Sequence, residues 1–158
     1  MKHIQWKKLL LCIAIPLATG GIAALLTGSS MEKFSSLNQP PLSPPGWLFP
    51  VVWSILYVLM GIASYLVWVS GKPNRTAKRT ALRLYAVQLA MNFLWPLLFF
   101  RWEMYSFAFA WLVLLWVLVI ATALRFHAIS APAGWLFLPY ILWVTFAGYL
   151  NLSIAILN

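Results

Sequence analysis

Charged residues are scarce in this sequence, and acidic residues are the scarcest. Only 8% of the 158 residues are charged, aspartate is absent, and the two glutamates are Glu32 and Glu103. A soluble domain carries about 25% charged residues. With 63% hydrophobic residues and a mean hydropathy of +0.87, the chain cannot cover a surface that faces water. We therefore expect an integral membrane protein whose partner is the lipid bilayer.

The shortage of acidic and sulfur-bearing side chains excludes several kinds of site. An ion-driven transporter needs carboxylates inside the membrane, whereas both glutamates lie at the ends of apolar runs. The single cysteine, Cys12, excludes an intrachain disulfide and a multi-cysteine metal site. His3 and His127 also lie outside the apolar runs. We therefore expect no metal site and no required cofactor.

The net charge of +9 does not indicate nucleic-acid binding, because the basic residues flank apolar runs, where they meet lipid headgroups. One side of the chain's predicted topology has only Lys33 and Arg101. The other side has Lys2, Lys7, Lys8, Lys72, Arg75, Lys78, Arg79, Arg83 and Arg125. The positive-inside rule then predicts a cytoplasmic N-terminus and an extracytoplasmic C-terminus. A bacterial cell membrane is expected, with an outer membrane as the alternative.

Five apolar runs are long enough to span a bilayer, which takes roughly 20 residues. They cover about residues 9–26, 47–69, 82–100, 104–124 and 135–157. The predicted fold is an all-α integral membrane protein, a five-helix bundle that forms one domain over residues 1–158. The fourth run has almost no polar residues and is predicted to face lipid. The first run also resembles a signal peptide, but the bundle needs it as a span.

A long loop joins the first two runs and ends in a proline cluster. Five prolines between Pro40 and Pro50 cannot form a helix interior, because proline lacks a backbone N–H and its ring clashes with the preceding turn. A short helix is predicted near residues 31–37. We expect this partly helical, stiff loop to lie on the extracytoplasmic side and to act as a lid.

Polar and aromatic side chains recur at helical spacing on three of the spans. Inside a membrane, an amide indicates a protein interior. The stripes are Trp47, Pro50, Trp53 and Tyr57 on the second span, Gln88, Asn92, Trp95 and Phe99 on the third, and Tyr140, Trp143, Ala147 and Asn151 on the fifth. For each residue alone, core packing or an interfacial belt is the favoured explanation. Together under one lid, they predict a cavity for a flat apolar ligand.

Three stretches resemble the TspO/MBR family, the translocator proteins once called peripheral-type benzodiazepine receptors. They are PPGWLFPVVWSILY (44–57), QLAMNFLWPLLFF (88–100) and PYILWVTFAGYLN (139–151). The resemblance implies a five-helix bundle, frequently a homodimer, that binds porphyrins such as haem or protoporphyrin, and synthetic ligands, beneath the first loop. The pocket residues that it implies are Trp53, Tyr57, Asn92, Trp95, Phe99, Trp143, Phe146 and Ala147. The stripes add Pro50, Tyr140 and Asn151, and the loop adds Phe34.

The sequence departs from the family pattern in three places. Lys33 and Phe34 stand where the family usually has a Trp-Tyr pair, and Leu42 stands where a tryptophan is common. No basic residue follows Tyr149, so the sterol motif of the mammalian members is incomplete.

Three functions remain open. The first is a tetrapyrrole-binding sensor, regulator or carrier, in which Lys33 or Arg101 pairs with the propionates. The second is an enzyme that degrades porphyrin in light and oxygen, with Trp53 and Trp143 as its paired tryptophans. The third is a structural or regulatory membrane partner with an incidental cavity.

Overall fold

The bundle consists of long helices joined by short connections and one long loop. The computed structural model describes residues 4–28, 31–71 and 74–158, without the side chains of residues 31–33. Lys2, His3, Lys72 and the Lys33 side chain therefore lie outside the described part. The helices are α1 (Trp6–Thr27), α2 (Met31–Ser36), α3 (Leu48–Val69), α4 (Arg75–Pro96), α5 (Tyr105–Ile129), α6 (Ala131–Trp135) and α7 (Leu138–Leu157).

Within the described residues, five helical segments are long and apolar enough to cross a bilayer. They cover Trp6–Thr27, Leu48–Val69, Arg75–Arg101, Tyr105–Ile129 and Ala131–Leu157. This confirms the predicted five-span, all-α fold class. Helix α1 packs against α3 and α4, and α5 packs against α4 and α7. Helices α3 and α7 also contact each other through two aromatic pairs, Trp53 with Tyr140 and Phe49 with Trp143.

Helix α4 extends beyond its apolar part at one end and changes geometry at the other. It begins at Arg75, before the apolar run predicted from Leu82, because the Asn74 side chain accepts a hydrogen bond from the Ala77 N–H at 3.0 Å and caps the helix. After Pro96 a π-helical turn, Leu97–Arg101, continues the span. This turn brings Phe99 into the interior and leaves Arg101 exposed.

Helices α1 and α3 approach each other closely at a glycine of α3. A Cβ atom on Gly61 would lie 2.5 Å from the Ile13 Cα and 2.8 Å from the Cys12 carbonyl oxygen. Both are backbone atoms, so neither can rotate away. Only glycine allows the two backbones to meet here, as small residues commonly do between membrane helices.

The prediction that the fourth span faces lipid is wrong for one of its faces. Helix α5 buries a continuous stripe against α4 and α7. The buried residues are Ala108, Leu112, Leu115, Val119, Thr122, Ala123, Phe126 and Ile129. Apolar side chains suit both lipid and a protein interior, so such a helix carries no amphipathic pattern that would mark its packed face.

The long loop is ordered and tied to α7. The Asn38 N–H donates to the Asn158 Oδ1 at 3.0 Å, and the Asn158 Nδ2 donates back to the Asn38 carbonyl at 3.1 Å. The Tyr149 hydroxyl donates to the Pro41 carbonyl at 2.8 Å. Phe34 of α2 is buried beneath the loop. The short helix α2 confirms the predicted partly helical character of this connection.

Candidate functional site

A chain of hydrogen bonds crosses the interior between α3, α4 and α7. The Tyr57 hydroxyl donates to the Asn92 Oδ1 at 2.7 Å, and the Asn92 Nδ2 donates to the Tyr140 hydroxyl at 2.6 Å. The Tyr140 hydroxyl in turn donates to the Gln88 Oε1 at 3.2 Å. All four residues are buried. Because unpaired polar groups are costly in a membrane interior, this network fixes how the three helices face one another.

A second bridge lies nearer the loop. The Trp95 indole N–H donates to the Asn151 Oδ1 at 3.2 Å, and the Asn151 Nδ2 donates to the Tyr105 carbonyl at 2.8 Å. Phe99 stacks on Trp95, with ring centroids 5.3 Å apart. The three predicted stripes therefore meet, and they do so by bonding to one another.

The coupling between Tyr57 and Asn92 can be measured by a double-mutant cycle. We expect Tyr57→Phe and Asn92→Ala to show a coupling free energy of about 1 kcal/mol in chemical unfolding, typical of a hydrogen bond between membrane helices. As a control, Tyr65→Phe and Asn92→Ala should be additive, because the Tyr65 hydroxyl accepts from the distant Gln5 N–H. Additivity in the Tyr57 cycle would contradict the network.

A cavity lies beside this network, between α1, α3 and α4. Its volume is about 400 Å³, which is within the range of small-molecule pockets. The α1 wall consists mostly of small residues: Leu17, Gly20, Gly21, Ala23, Ala24, Thr27 and Gly28. The opposite wall is rich in aromatic rings and comprises Phe49, Pro50, Trp53, Ser54, Tyr57, Asn92, Trp95, Pro96 and Phe100.

We call this cavity the slot, because a wall of small side chains on α1 faces a wall of aromatic rings. Positions 17 to 28 extend about 16 Å along α1, at about 1.5 Å per residue. At Gly20 a Cβ atom would lie 2.1 Å from the Tyr57 ring, so that ring lies directly on the helix backbone. At Gly21 a Cβ atom would meet nothing within 4 Å. The Tyr57 ring therefore closes the space in front of Gly20, whereas the space in front of Gly21, which lines the slot and is exposed, is open.

The structure divides the residues that we predicted to bind ligand into two groups. Those that line the slot are Pro50, Trp53, Tyr57, Asn92 and Trp95. Those that lie outside its walls are Phe34, Phe99, Tyr140, Trp143, Phe146, Ala147 and Asn151. Contact of either group with a ligand stays a prediction.

Several residues of the second group support the walls from behind. Phe34 contacts Phe49 and Phe100, with ring centroids 5.8 and 5.6 Å apart. Phe146 packs on Trp143 at 5.6 Å. Ala147 is buried in α7. Phe34 therefore packs directly on two wall rings, whereas Phe146 reaches the wall only through Trp143, which contacts Phe49.

The two tryptophans of the predicted catalytic pair have different surroundings. Trp53 lines the slot and stacks on Tyr57, with centroids 5.6 Å apart and planes 29° apart. Trp143 lies behind Phe49, with centroids 6.0 Å apart. Its indole N–H is buried and has no hydrogen-bond partner in the described part of the chain. The two indoles are therefore not equivalent with respect to the slot.

The contribution of α1 to the cavity was missed by the sequence analysis. Gly21, Ala24 and Gly28 recur at spacings of three and four, which places them on one face of a helix. This signal was available, but the same small residues also fit the end of a signal peptide. Only the aromatic wall opposite shows that their small size opens a cavity.

The chain is similar to known membrane proteins over nearly its whole length. Residues 12–157 match the TspO/MBR family. The chain is 38% identical over 152 residues to the "Tryptophan-rich protein TspO" of Chlorobaculum tepidum, which covers 95% of each chain. It is 35% identical over 156 residues to the "Tryptophan-rich sensory protein" of Cereibacter sphaeroides, covering 99% of this chain and 94% of that one. It is 38% identical over 138 residues to the "Translocator protein" of Bos taurus, covering 87% and 82%.

Proposed function

This chain belongs to the TspO/MBR family of integral membrane proteins, and from that premise we propose that it binds porphyrins in the slot between α1, α3 and α4. In this role it acts as a sensor, regulator or carrier in tetrapyrrole metabolism. The observation that supports the proposal is that the small side chains of α1 face a wall of aromatic rings across the slot. Such a slot suits a thin planar molecule better than a bulky one.

The aromatic wall supplies the attraction for a planar ring. Stacking of aromatic pairs contributes about 0.5–1.5 kcal/mol per pair beyond the burial of area. Trp53 and Trp95 present indole rings at the slot. The Trp95 indole is held in place by its bond to Asn151, so its ring needs little reorganisation on binding.

Trp53 and Trp143 offer a matched test of this location. We expect Trp53→Leu to weaken the binding of protoporphyrin about tenfold, because it removes a slot wall. Trp143→Leu should change the affinity by less than about threefold, because Trp143 lies behind the wall. Titrations that follow porphyrin absorbance in detergent or nanodiscs measure both. Equal losses in the two variants, or a larger loss in Trp143→Leu, would place the ligand elsewhere.

The second candidate function is light-dependent oxidation of bound porphyrin. It is favoured by one observation, the position of the Trp53 indole at the slot. Transfer of one electron from this indole to the photoexcited porphyrin would leave an indole radical cation and a porphyrin radical anion, and dioxygen, as the oxidant, would take up the extra electron and supply the oxygen for oxidation of the macrocycle. Illumination of the complex in air separates the two functions. Porphyrin loss that requires Trp53 supports an enzyme, whereas bleaching at the same rate in Trp53→Phe supports a binding protein.

We also propose the predicted orientation and a homodimer. The described basic side chains away from the loop, including Arg79, Arg83 and Arg125, support a cytoplasmic face at that end.

The homodimer is supported by the outer face of α4. Ala86 and Ala90 are exposed there, and their spacing allows close packing of a second subunit.

A further inference from the structure

The positively charged side chain of Arg101 lies at the loop end of the slot. The Arg101 Nη1 donates to the Leu26 carbonyl at 3.3 Å. Leu26 directly precedes Thr27 and Gly28, which line the slot, and Arg101 directly follows Phe100, which also lines it. The guanidinium group therefore sits where the end of α1 meets the π-helical turn, at the margin of the cavity.

The slot itself is neutral. Its polar side chains are Thr27, Ser54, Tyr57 and Asn92, and none of its described lining residues is charged. Among the described residues, a ligand that carries an anionic group therefore finds its counter-charge at the margin. Of the described charged side chains at the loop end, Arg101 is basic and Glu103 is acidic.

The chemistry of arginine suits a carboxylate. Its guanidinium remains charged at any physiological pH and has five N–H donors in a planar fork. The bond to the Leu26 carbonyl uses one donor of this fork. The group can therefore hold its place on α1 and still bind a carboxylate through two parallel hydrogen bonds.

We propose that Arg101 selects ligands by their carboxylates, so that the protein binds porphyrin free acids in preference to neutral porphyrins of the same shape. This inference rests on the proposed function, since it assumes a planar ring in the slot. In this view the aromatic walls of the slot bind the macrocycle, and Arg101 at the margin recognises its carboxylates.

The acid and its ester separate these two contributions. Protoporphyrin and its dimethyl ester share one ring but differ in charge, so the ratio of their affinities reports the charged contact alone. A hydrogen-bonded pair with a charged partner at a partly exposed position is worth about a tenfold difference in affinity. We expect the unmodified protein to bind the acid about tenfold more tightly than the ester.

The test compares four proteins in nanodiscs of uncharged lipid, so that lipid charge does not contribute. Arg101→Gln should weaken binding of the acid and leave binding of the ester unchanged. Arg101→Glu should bind the ester more tightly than the acid. Arg83→Gln is the matched control, because Arg83 is also exposed on the same span but at its other end. It should keep the preference of the unmodified protein.

The outcomes separate the inference from the proposed function. If Arg101→Gln weakens acid and ester equally, Arg101 acts only by holding the end of α1, and the inference is overturned. If the unmodified protein binds acid and ester equally, the inference fails while porphyrin binding stands. If it binds neither in a saturable way, the proposed function fails, and the inference falls with it.

Discussion

Replacing Gly21 with phenylalanine is expected to weaken protoporphyrin binding by about a hundredfold or more while leaving the bundle folded. Gly21 lines the slot, and a Cβ atom there meets nothing within 4 Å. A phenylalanine ring at this position therefore has room to turn into the slot without displacing a neighbour. A cavity of about 400 Å³ cannot hold this ring and a macrocycle together, because filled protein interiors are close-packed. Absorbance titration measures the loss.

Two controls accompany this variant. Ala18 is exposed on the same helix and does not line the slot, so Ala18→Phe should bind porphyrin normally. Gly21→Ala adds only a methyl group and should have a small effect. Thermal unfolding followed by tryptophan fluorescence verifies that each variant is folded. Normal porphyrin binding by a folded Gly21→Phe protein would show that the slot is not the binding site.

Replacing Gly61 with alanine is expected to lower the free energy of unfolding by about 2 kcal/mol. A single methyl group would press on the α1 backbone at Ile13 and Cys12, and overpacking of this kind costs about 1–3 kcal/mol. The loss should appear even though alanine is the better helix former by about 1 kcal/mol. To relieve the contact, α1 and α3 must separate along their shared interface.

Gly21→Ala is the matched control for this measurement, because it makes the same substitution on α1 where nothing is in contact. It should leave stability unchanged or raise it by up to about 1 kcal/mol. Both variants are compared by denaturant titration in one detergent. Equal stability of Gly61→Ala and the unmodified protein would mean that the two backbones are not in contact at this point.

The spans and the loop were predictable from the sequence because they depend on local properties. The length of an apolar run determines whether it can cross a bilayer, and proline chemistry determines that the chain from Pro40 to Pro45 is not helical. The stripe that contains Asn92 was also identifiable, because an amide inside a membrane span needs a polar partner.

The position of the cavity was not predictable, because it depends on how the helices rotate and approach. Asn92 and Asn151 were both predicted to bind ligand; their amides bond to Tyr140 and Trp95, and of the two only Asn92 lines the slot. Trp53 and Trp143 belong to equivalent stripes, but only Trp53 reaches the slot. The close contact at Gly61 brings α1 alongside α3, and no property of either helix alone reveals which faces then enclose space.

One side of the slot is also part of the outer surface of the bundle, since Gly21, Ala24, Pro50 and Ser54 line it and are exposed. A porphyrin that entered the slot through this side would come from the bilayer, so it would displace acyl chains and would gain nothing from leaving an aqueous phase. The affinity for a porphyrin must then come from its fit to the slot, which is better than that of flexible acyl chains, and from its carboxylates. Apparent affinities should accordingly be compared at constant mole fraction in the bilayer, not at constant bulk concentration.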